Sequence, residues 1–138
     1  MTEYLQQQTL DEAFPKVDPQ LKPLGSTVLV QIKQPSKKSA GGLILPDAEQ
    51  KAERDNTQLA LVIAMGPLAF HNRNTMEPWP EGAWVDIGDF VRVPRYGGDR
   101  FYMPNPYEKD SPALFVIFDD LNMKGLITGD PLAMKAFV

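Results

Sequence analysis

The spacing of apolar and polar residues along the chain predicts a series of short β-strands. Val28, Val30 and Ile32 alternate with Leu29, Gln31 and Lys33, which predicts a half-buried strand. A later stretch, 58–65, is apolar on both faces, so we expect it at the centre of a sheet. The predicted strands cover residues 28–33, 58–65, 86–94 (after a turn), 113–118 and 125–128. Four or five strands of this length, joined by Gly/Pro turns, predict an all-β fold, either a small β-barrel or a sandwich.

Long stretches without strand periodicity separate these strands. Residues 36–56 are polar, so we expect a loop there. We expect a second loop over residues 67–85, packed against the protein because it holds three aromatic side chains. A third, proline-rich loop is predicted over 101–111. Residues 1–20 predict an arm that is flexible or loosely docked. Within it, Thr9 followed by Glu12 is typical of a capping box, so the arm holds either a short helix over 9–14 or a disordered terminus.

Three aliphatic residues stand alone in the first loop. Leu43, Ile44 and Leu45 follow Gly41 and Gly42 in an otherwise charged segment that lacks the period of a helix or strand. Leaving such side chains exposed forgoes about 1.5–3 kcal/mol each relative to burial. The segment is therefore either a short edge strand packed on the body of the protein or a contact surface for a partner.

Composition narrows the possible functions. The 43% apolar residues can build one core, and 13 prolines with 10 glycines disfavour a helical bundle. The chain has no cysteine and one histidine, His71, so thiol catalysis, common zinc sites and a His-dependent triad are not expected. A net charge of −4 disfavours nucleic-acid binding. No apolar run or leader pattern predicts a membrane span or secretion, and we expect a cytoplasmic protein.

No motif supports an enzyme. The chain lacks a Walker loop and a G-x-G-x-x-G sequence, and the acidic pairs Asp119–Asp120 and Asp86–Asp89 are typical of solvated turns. The basic and aromatic run R-Y-G-G-D-R-F-Y at 95–102 would suit a barrel that stacks single-stranded nucleic acid. The acidic residues around that run make core and turn packing the better interpretation.

Four motifs, in this order, resemble the small co-chaperonin family, GroES and its relatives. K-P-L-G-S-T-V-L-V at 22–30 resembles the family's opening strand, and K-S-A-G-G-L-I-L at 38–45 resembles its mobile loop. L-A-L-V-I-A-M-G at 59–66 resembles the strand leading to its roof hairpin, and W-V-D-I-G-D-F-V at 84–91 resembles its Val-x-Val-Gly-Asp-x-Val sequence. The resemblance covers about residues 21–129 and is most specific in the mobile loop, where residue types and spacing both agree.

The resemblance implies a GroES-like β-barrel over residues 21–138, with a mobile loop at about 36–56 and a roof loop at about 67–85. It also implies a homoheptameric ring that caps a GroEL-type chaperonin and encloses unfolded client proteins. The chaperonin, and not this chain, would bind and hydrolyse ATP. The chain itself would need no cofactor or metal. The chaperonin-binding residues would be Gly41, Gly42, Leu43, Ile44 and Leu45, and the roof or inner wall would hold Trp79, Trp84 and Tyr96.

Three parts of the chain depart from the family pattern. Residues 1–20 are an N-terminal extension, residues 67–84 are richer in aromatic residues and proline, and 103–111 looks inserted. Such additions resemble phage-encoded members, which would act in the host cytoplasm. The alternative function is a β-barrel structural or adaptor protein of a phage, although that role would leave the Gly-Gly-Leu-Ile-Leu sequence unexplained.

Overall fold

An antiparallel sheet organises the fold. The computed structural model describes residues 8–35 and 47–134, and in these ranges six strands form one sheet in the order β4-β5-β1-β2-β3-β6. The elements are α1 (Leu10–Ala13), β1 (Thr27–Ile32), α2 (Asp47–Asn56), β2 (Leu59–Met65), β3 (Phe90–Arg92), β4 (Asp99–Met103), β5 (Ala113–Asp119), a 3₁₀ turn (Asp120–Asn122) and β6 (Gly125–Leu126). The all-β prediction is confirmed.

The central strands follow the predicted pattern. β1 pairs with β2 on one side, with a bulge between Leu29 and Val30, and with β5 on the other. β2 lies between β1 and β3, which confirms its predicted central place. One face of the sheet carries the main core, to which Val28, Val30 and Ile32 contribute together with apolar residues of β2, β3 and β5. The period of two in β1 therefore identified the residues of this core.

The opposite face of β1 is buried as well, so the prediction of a half-buried strand is wrong. Leu29 is fully buried against Phe115, and Gln31 is 2% exposed. The N-terminal arm covers this face: Val17 packs on the same cluster, and Gln31 Nε2 donates a hydrogen bond to the Pro15 carbonyl at 2.9 Å. A buried polar side chain needs such a partner, and the arm supplies it.

The arm itself docks closely on the sheet. α1 has the predicted capping box, in which the Thr9 hydroxyl accepts from the Glu12 N–H while the Glu12 carboxylate accepts from the Thr9 N–H. The helix places Ala13 and Phe14 in a cluster with Leu59, and the Phe14 and Phe90 rings lie 5.2 Å apart. Of the interpretations left open for residues 9–14, the short helix is therefore confirmed.

β4 is a strand that the sequence did not predict, since 101–111 was assigned to a loop. Its residues pair with β5 from Asp99 to Met103, and Phe101 stacks on Phe115 with 5.5 Å between ring centres. The preceding Gly98 makes this close approach possible. A Cβ there would lie 2.6 Å from the Val116 side chain, and its φ of +72° favours glycine.

Candidate functional site

The predicted contact residues lie between two points that the structure does describe. Gly41, Gly42, Leu43, Ile44 and Leu45 belong to residues 36–46, which are outside the described ranges, so their role stays a prediction. The described chain runs to Pro35 on one side and resumes at Asp47 on the other. These two flanks are the described part of the candidate site.

The first flank is held by several parts of the protein at Gln34, which is 3% exposed. Its N–H donates to the Ala13 carbonyl at 2.7 Å, and its side-chain Nε2 donates to the Ser111 carbonyl at 3.0 Å. Gln8 Nε2 donates to the carbonyl oxygens of Gln34 at 3.0 Å and Pro35 at 3.3 Å. The chain therefore leaves the sheet from a point fixed by both the arm and the segment before β5.

The second flank is the helix α2, and this corrects the loop predicted over 36–56. Residues 47–56, D-A-E-Q-K-A-E-R-D-N, are helical. Ala, Glu, Gln, Lys and Arg have high helix propensity, and Lys51 and Asp55 form an ion pair one turn apart. Because most of its side chains are charged, the sequence pattern resembled a solvated loop. The loop prediction is wrong for this part of the segment.

Arg54 joins the two flanks. Arg54 is only 5% exposed, although its place in a charged segment predicts solvent exposure. Arg54 Nε donates to Gln34 Oε1 at 3.2 Å, and Nη2 donates to Ser111 Oγ at 2.8 Å. The Ser111 carbonyl also accepts from Asn105 Nδ2 at 3.1 Å. We call Gln34, Arg54, Asn105 and Ser111 the Arg54 clamp.

A buried lysine lies beside the clamp. Lys33 is 9% exposed, and its Nζ donates to the Gln34 carbonyl at 3.3 Å. Burial lowers the pKa of the Lys33 ammonium, and the negative charge of Glu53 on α2 partly offsets this effect by raising it. The base of the segment is therefore a desolvated, polar region, in which each unmatched group would cost about 1–3 kcal/mol.

The exposed side of α2 is tied to β4 through Asp55. Lys51 Nζ lies 2.6 Å from Asp55 Oδ2, Tyr102 donates its hydroxyl to Asp55, and Arg100 Nη2 donates to the Asp55 carbonyl at 3.2 Å. Partial burial acts to raise the pKa of the Asp55 carboxyl, but the hydrogen bonds from Lys51 and Tyr102 outweigh it and lower the pKa below 3.8. Burial and Asp55 together raise the pKa of Tyr102.

The Asp55 contacts predict a pH dependence of stability. A carboxyl whose pKa is lower in the folded protein stabilises it above its unfolded pKa, near 3.8, and this contribution is lost as pH falls through the lower folded value. The melting temperature of the Asp55→Asn variant should therefore lie below that of the wild type at pH 6. The two melting temperatures should converge below about pH 3.8, as measured by circular dichroism. A difference that persists unchanged at pH 3 would contradict this interpretation.

The predicted roof residues Trp79 and Trp84 come together in the second loop. Their ring centres lie 5.0 Å apart, and both contact Phe70, at 5.4 and 6.0 Å. Phe70 is fully buried in the main core, and its N–H donates to the Asp120 carboxylate at 2.9 Å. The loop continues to a bridge between His71 and Pro78. The predicted packing is confirmed for these aromatic side chains, which join the loop to the core, while residues 72–78 are exposed.

Tyr96, the third predicted roof residue, has a different neighbour. Its side chain is 72% exposed, and its hydroxyl donates to Asn56 Oδ1, at the end of α2, at 3.4 Å. No ring contact joins it to Trp79 or Trp84 among the described residues. The structure therefore brings two of the three predicted roof residues together and places Tyr96 by the helix that follows the candidate segment.

The acidic pairs considered for catalysis have structural roles. The Asp120 carboxylate accepts the Phe70 N–H, and the Asp89 carboxylate accepts the Asp86 N–H at 2.8 Å in a turn. Across residues 8–35 and 47–134, no group of three or more His, Asp or Glu side chains is placed to hold a metal ion. No helix in those ranges is long and apolar enough to cross a membrane.

The residues that sequence reasoning missed are those of the Arg54 clamp. Gln34, Arg54 and Ser111 are separated by 20 and 57 positions, so no local pattern connects them. The one available signal was the position of Gln34, directly after a strand and before Pro35 and the segment of interest. A polar side chain at the end of a strand can form hydrogen bonds with backbone N–H and C=O groups of neighbouring loops.

Comparison with known proteins identifies the family. The sequence profile of the chaperonin 10 Kd subunit matches residues 20–110, more than half of the chain. A protein named Co-chaperonin GroES from Methylacidiphilum infernorum is 34% identical over 82 residues, which span 59% of this chain and 75% of that protein. Co-chaperonin GroES from Corynebacterium glutamicum is 36% identical over 80 residues, spanning 56% and 71%. The all-β sheet and these matches lead to one conclusion: the chain belongs to the chaperonin 10 kDa family.

Proposed function

We propose that this co-chaperonin forms a seven-membered ring, caps a GroEL-type chaperonin in the cytoplasm and binds it through Gly41, Gly42, Leu43, Ile44 and Leu45. The family match carries the proposal, because it spans the aliphatic sequence and the strands on both sides of it. The two flanks support it further, since a segment that must reach a partner needs a fixed base on its own protein. Unfolded client proteins are enclosed under the ring.

The energetics suit a reversible contact. Three aliphatic side chains contribute about 5–9 kcal/mol when buried in an apolar groove. Ordering the segment costs about 1–2 kcal/mol for each residue fixed, so one segment binds weakly. When several segments belong to one ring, each binding event after the first is intramolecular and the total affinity rises steeply. Such a lid binds firmly while the chaperonin presents all of its grooves and leaves when the grooves are withdrawn.

In this proposal, ATP acts on the partner chaperonin and not on this chain. The chaperonin binds and hydrolyses the nucleotide, and its conformational change presents or withdraws the grooves. This chain contributes the apolar contact and the wall of the chamber. In that arrangement the tryptophans Trp79 and Trp84 support the roof by packing on Phe70, while the exposed Tyr96 lies on the wall.

Ring formation is the first expected result. Native mass spectrometry at micromolar concentration should give one dominant species of about 108 kDa, seven times the 15.4 kDa chain. A stable monomer at that concentration would remove the multivalency on which the binding energy depends, and with it the proposed lid. A ring of another size would leave the lid possible but would exclude a sevenfold match with the chaperonin.

A further inference from the structure

We propose that the Arg54 clamp is a positioning device that sets how residues 36–46 are presented to the chaperonin. In this proposal, Arg54 controls the affinity of the lid without contacting the partner. The inference rests on the proposed function, because it assumes that the aliphatic residues inside this segment make the contact.

The first observation is that the clamp fixes both ends of the segment to each other. Gln34 lies one residue before the last described position, Pro35, and it bonds directly to Arg54 on α2. Arg54 lies seven residues after Asp47, about 10 Å along the helix axis at 1.5 Å per residue. One side chain therefore joins the two described flanks of the segment directly.

The second observation is that two distant parts of the chain meet at the clamp. The family match begins at residue 20, but Gln8 and Ala13 bond to the backbone of Gln34 and Pro35. On the other side, Asn105 and the Ser111 carbonyl belong to the loop between β4 and β5. The N-terminal arm and this loop thus both act on the base of the same segment.

The third observation is the chemical nature of the clamp. Arg54 is 95% buried as a residue, and the acceptors of its two described hydrogen bonds, Gln34 Oε1 and Ser111 Oγ, are neutral. Leaving these buried acceptors without a donor would destabilise the site, so the two flanks depend on the guanidinium. Its planar group also fixes direction, because it holds both acceptors in one geometry.

The expected effect follows from the length of chain between fixed points. With the clamp intact, Pro35 and Asp47 are the described positions on either side of the contact residues. Release of α2 would move the second fixed position to about residue 56 and roughly double the number of residues between the two. Each doubling weakens closure of a flexible loop by about threefold. Since several segments of one ring must bind together, this factor compounds to roughly 10²–10³ in the affinity of the whole lid.

The test compares two methionine substitutions on the same helix. Arg54→Met removes the two hydrogen bonds of the guanidinium and its contact with the Tyr102 ring. Lys51→Met removes the exposed ion pair with Asp55 and is the matched control. Binding to the GroEL-type chaperonin of the same cell is measured with ATP by sedimentation velocity. It is measured at a temperature where native mass spectrometry shows intact rings for both variants.

We expect Arg54→Met to weaken binding at least tenfold and to speed hydrogen exchange in α2, while Lys51→Met stays within threefold of the wild type. Intact Arg54→Met rings that bind like the wild type would overturn the inference, even if their melting temperature falls. If Arg54→Met does not form rings, Ser111→Ala carries the test, because it deletes one acceptor and leaves the guanidinium in place. A loss of about threefold in each segment should weaken binding of the whole lid at least tenfold, and binding within threefold of the wild type overturns the inference.

The outcome separates this inference from the proposed function. If the wild type binds and a variant lacking the three aliphatic side chains does not, the proposed function stands. Unchanged binding by the clamp variants would then refute only the positioning role of Arg54. If the wild-type ring fails to bind the chaperonin with ATP, both are overturned.

Discussion

Replacing Leu43, Ile44 and Leu45 together by serine should abolish ATP-dependent association with the chaperonin and leave the ring intact. Each segment would lose about 5–9 kcal/mol of apolar burial, which is the whole favourable contribution assigned to it. Because the loss recurs in every subunit, multivalency cannot restore the affinity. Sedimentation velocity with ATP measures the association, and native mass spectrometry measures the ring.

A permuted variant is the control for this experiment. Leu43→Ile, Ile44→Leu and Leu45→Ile together keep the apolar area and change only the shape, so binding should fall far less than in the serine variant. If the serine variant binds like the wild type, the contact lies elsewhere on the chain. If both variants lose binding equally, shape rather than apolar area governs the contact.

Phe70→Ala should destabilise the protein by about 3–5 kcal/mol, the largest stability effect that we expect from a single side chain. Phe70 is fully buried in the main core, and its ring packs against Trp79 and Trp84, so its removal leaves a cavity beneath the roof loop. The native φ of +61° at Phe70 is uncommon for a residue with a side chain, so this packing also maintains a strained backbone. Urea denaturation measures the change at one fixed protein concentration, because ring assembly contributes to the apparent stability.

Met76→Ala is the matched control for Phe70→Ala. Met76 lies in the same loop with a similar φ of +63°, but its side chain is exposed. Its substitution should change the free energy of unfolding by no more than about 0.5 kcal/mol. Equal effects at Phe70 and Met76 would show that the backbone conformation, and not ring packing, determines the stability of this loop.

The sequence allowed the central strands to be predicted because their burial follows a simple period. Val28, Val30 and Ile32 face the main core as the alternation indicated. The same pattern misjudged Leu29 and Gln31, since burial of the second face depends on the distant N-terminal arm. β4 was missed because D-R-F-Y-M carries charges at its start and gains its place from pairing with β5.

The candidate site was predictable only where it resembles a known motif. The aliphatic sequence from Gly41 to Leu45 is local and specific, and its role stays a prediction. The Arg54 clamp could not be found in the same way, because a charged residue in a charged segment predicts solvent exposure. Its burial arises from contacts with Gln34 and Ser111, which the fold brings together from far along the chain.

Electron microscopy of the mixed proteins tests the central proposal most directly. The chain is incubated in excess with ATP and the GroEL-type chaperonin of its own cell, and particles are classified by side view. We predict chaperonin rings closed by an extra dome of density, absent without nucleotide and absent with the Leu43, Ile44 and Leu45 serine variant. Chaperonin particles that remain open with the wild-type protein and ATP in excess would contradict the proposal that this chain is their lid.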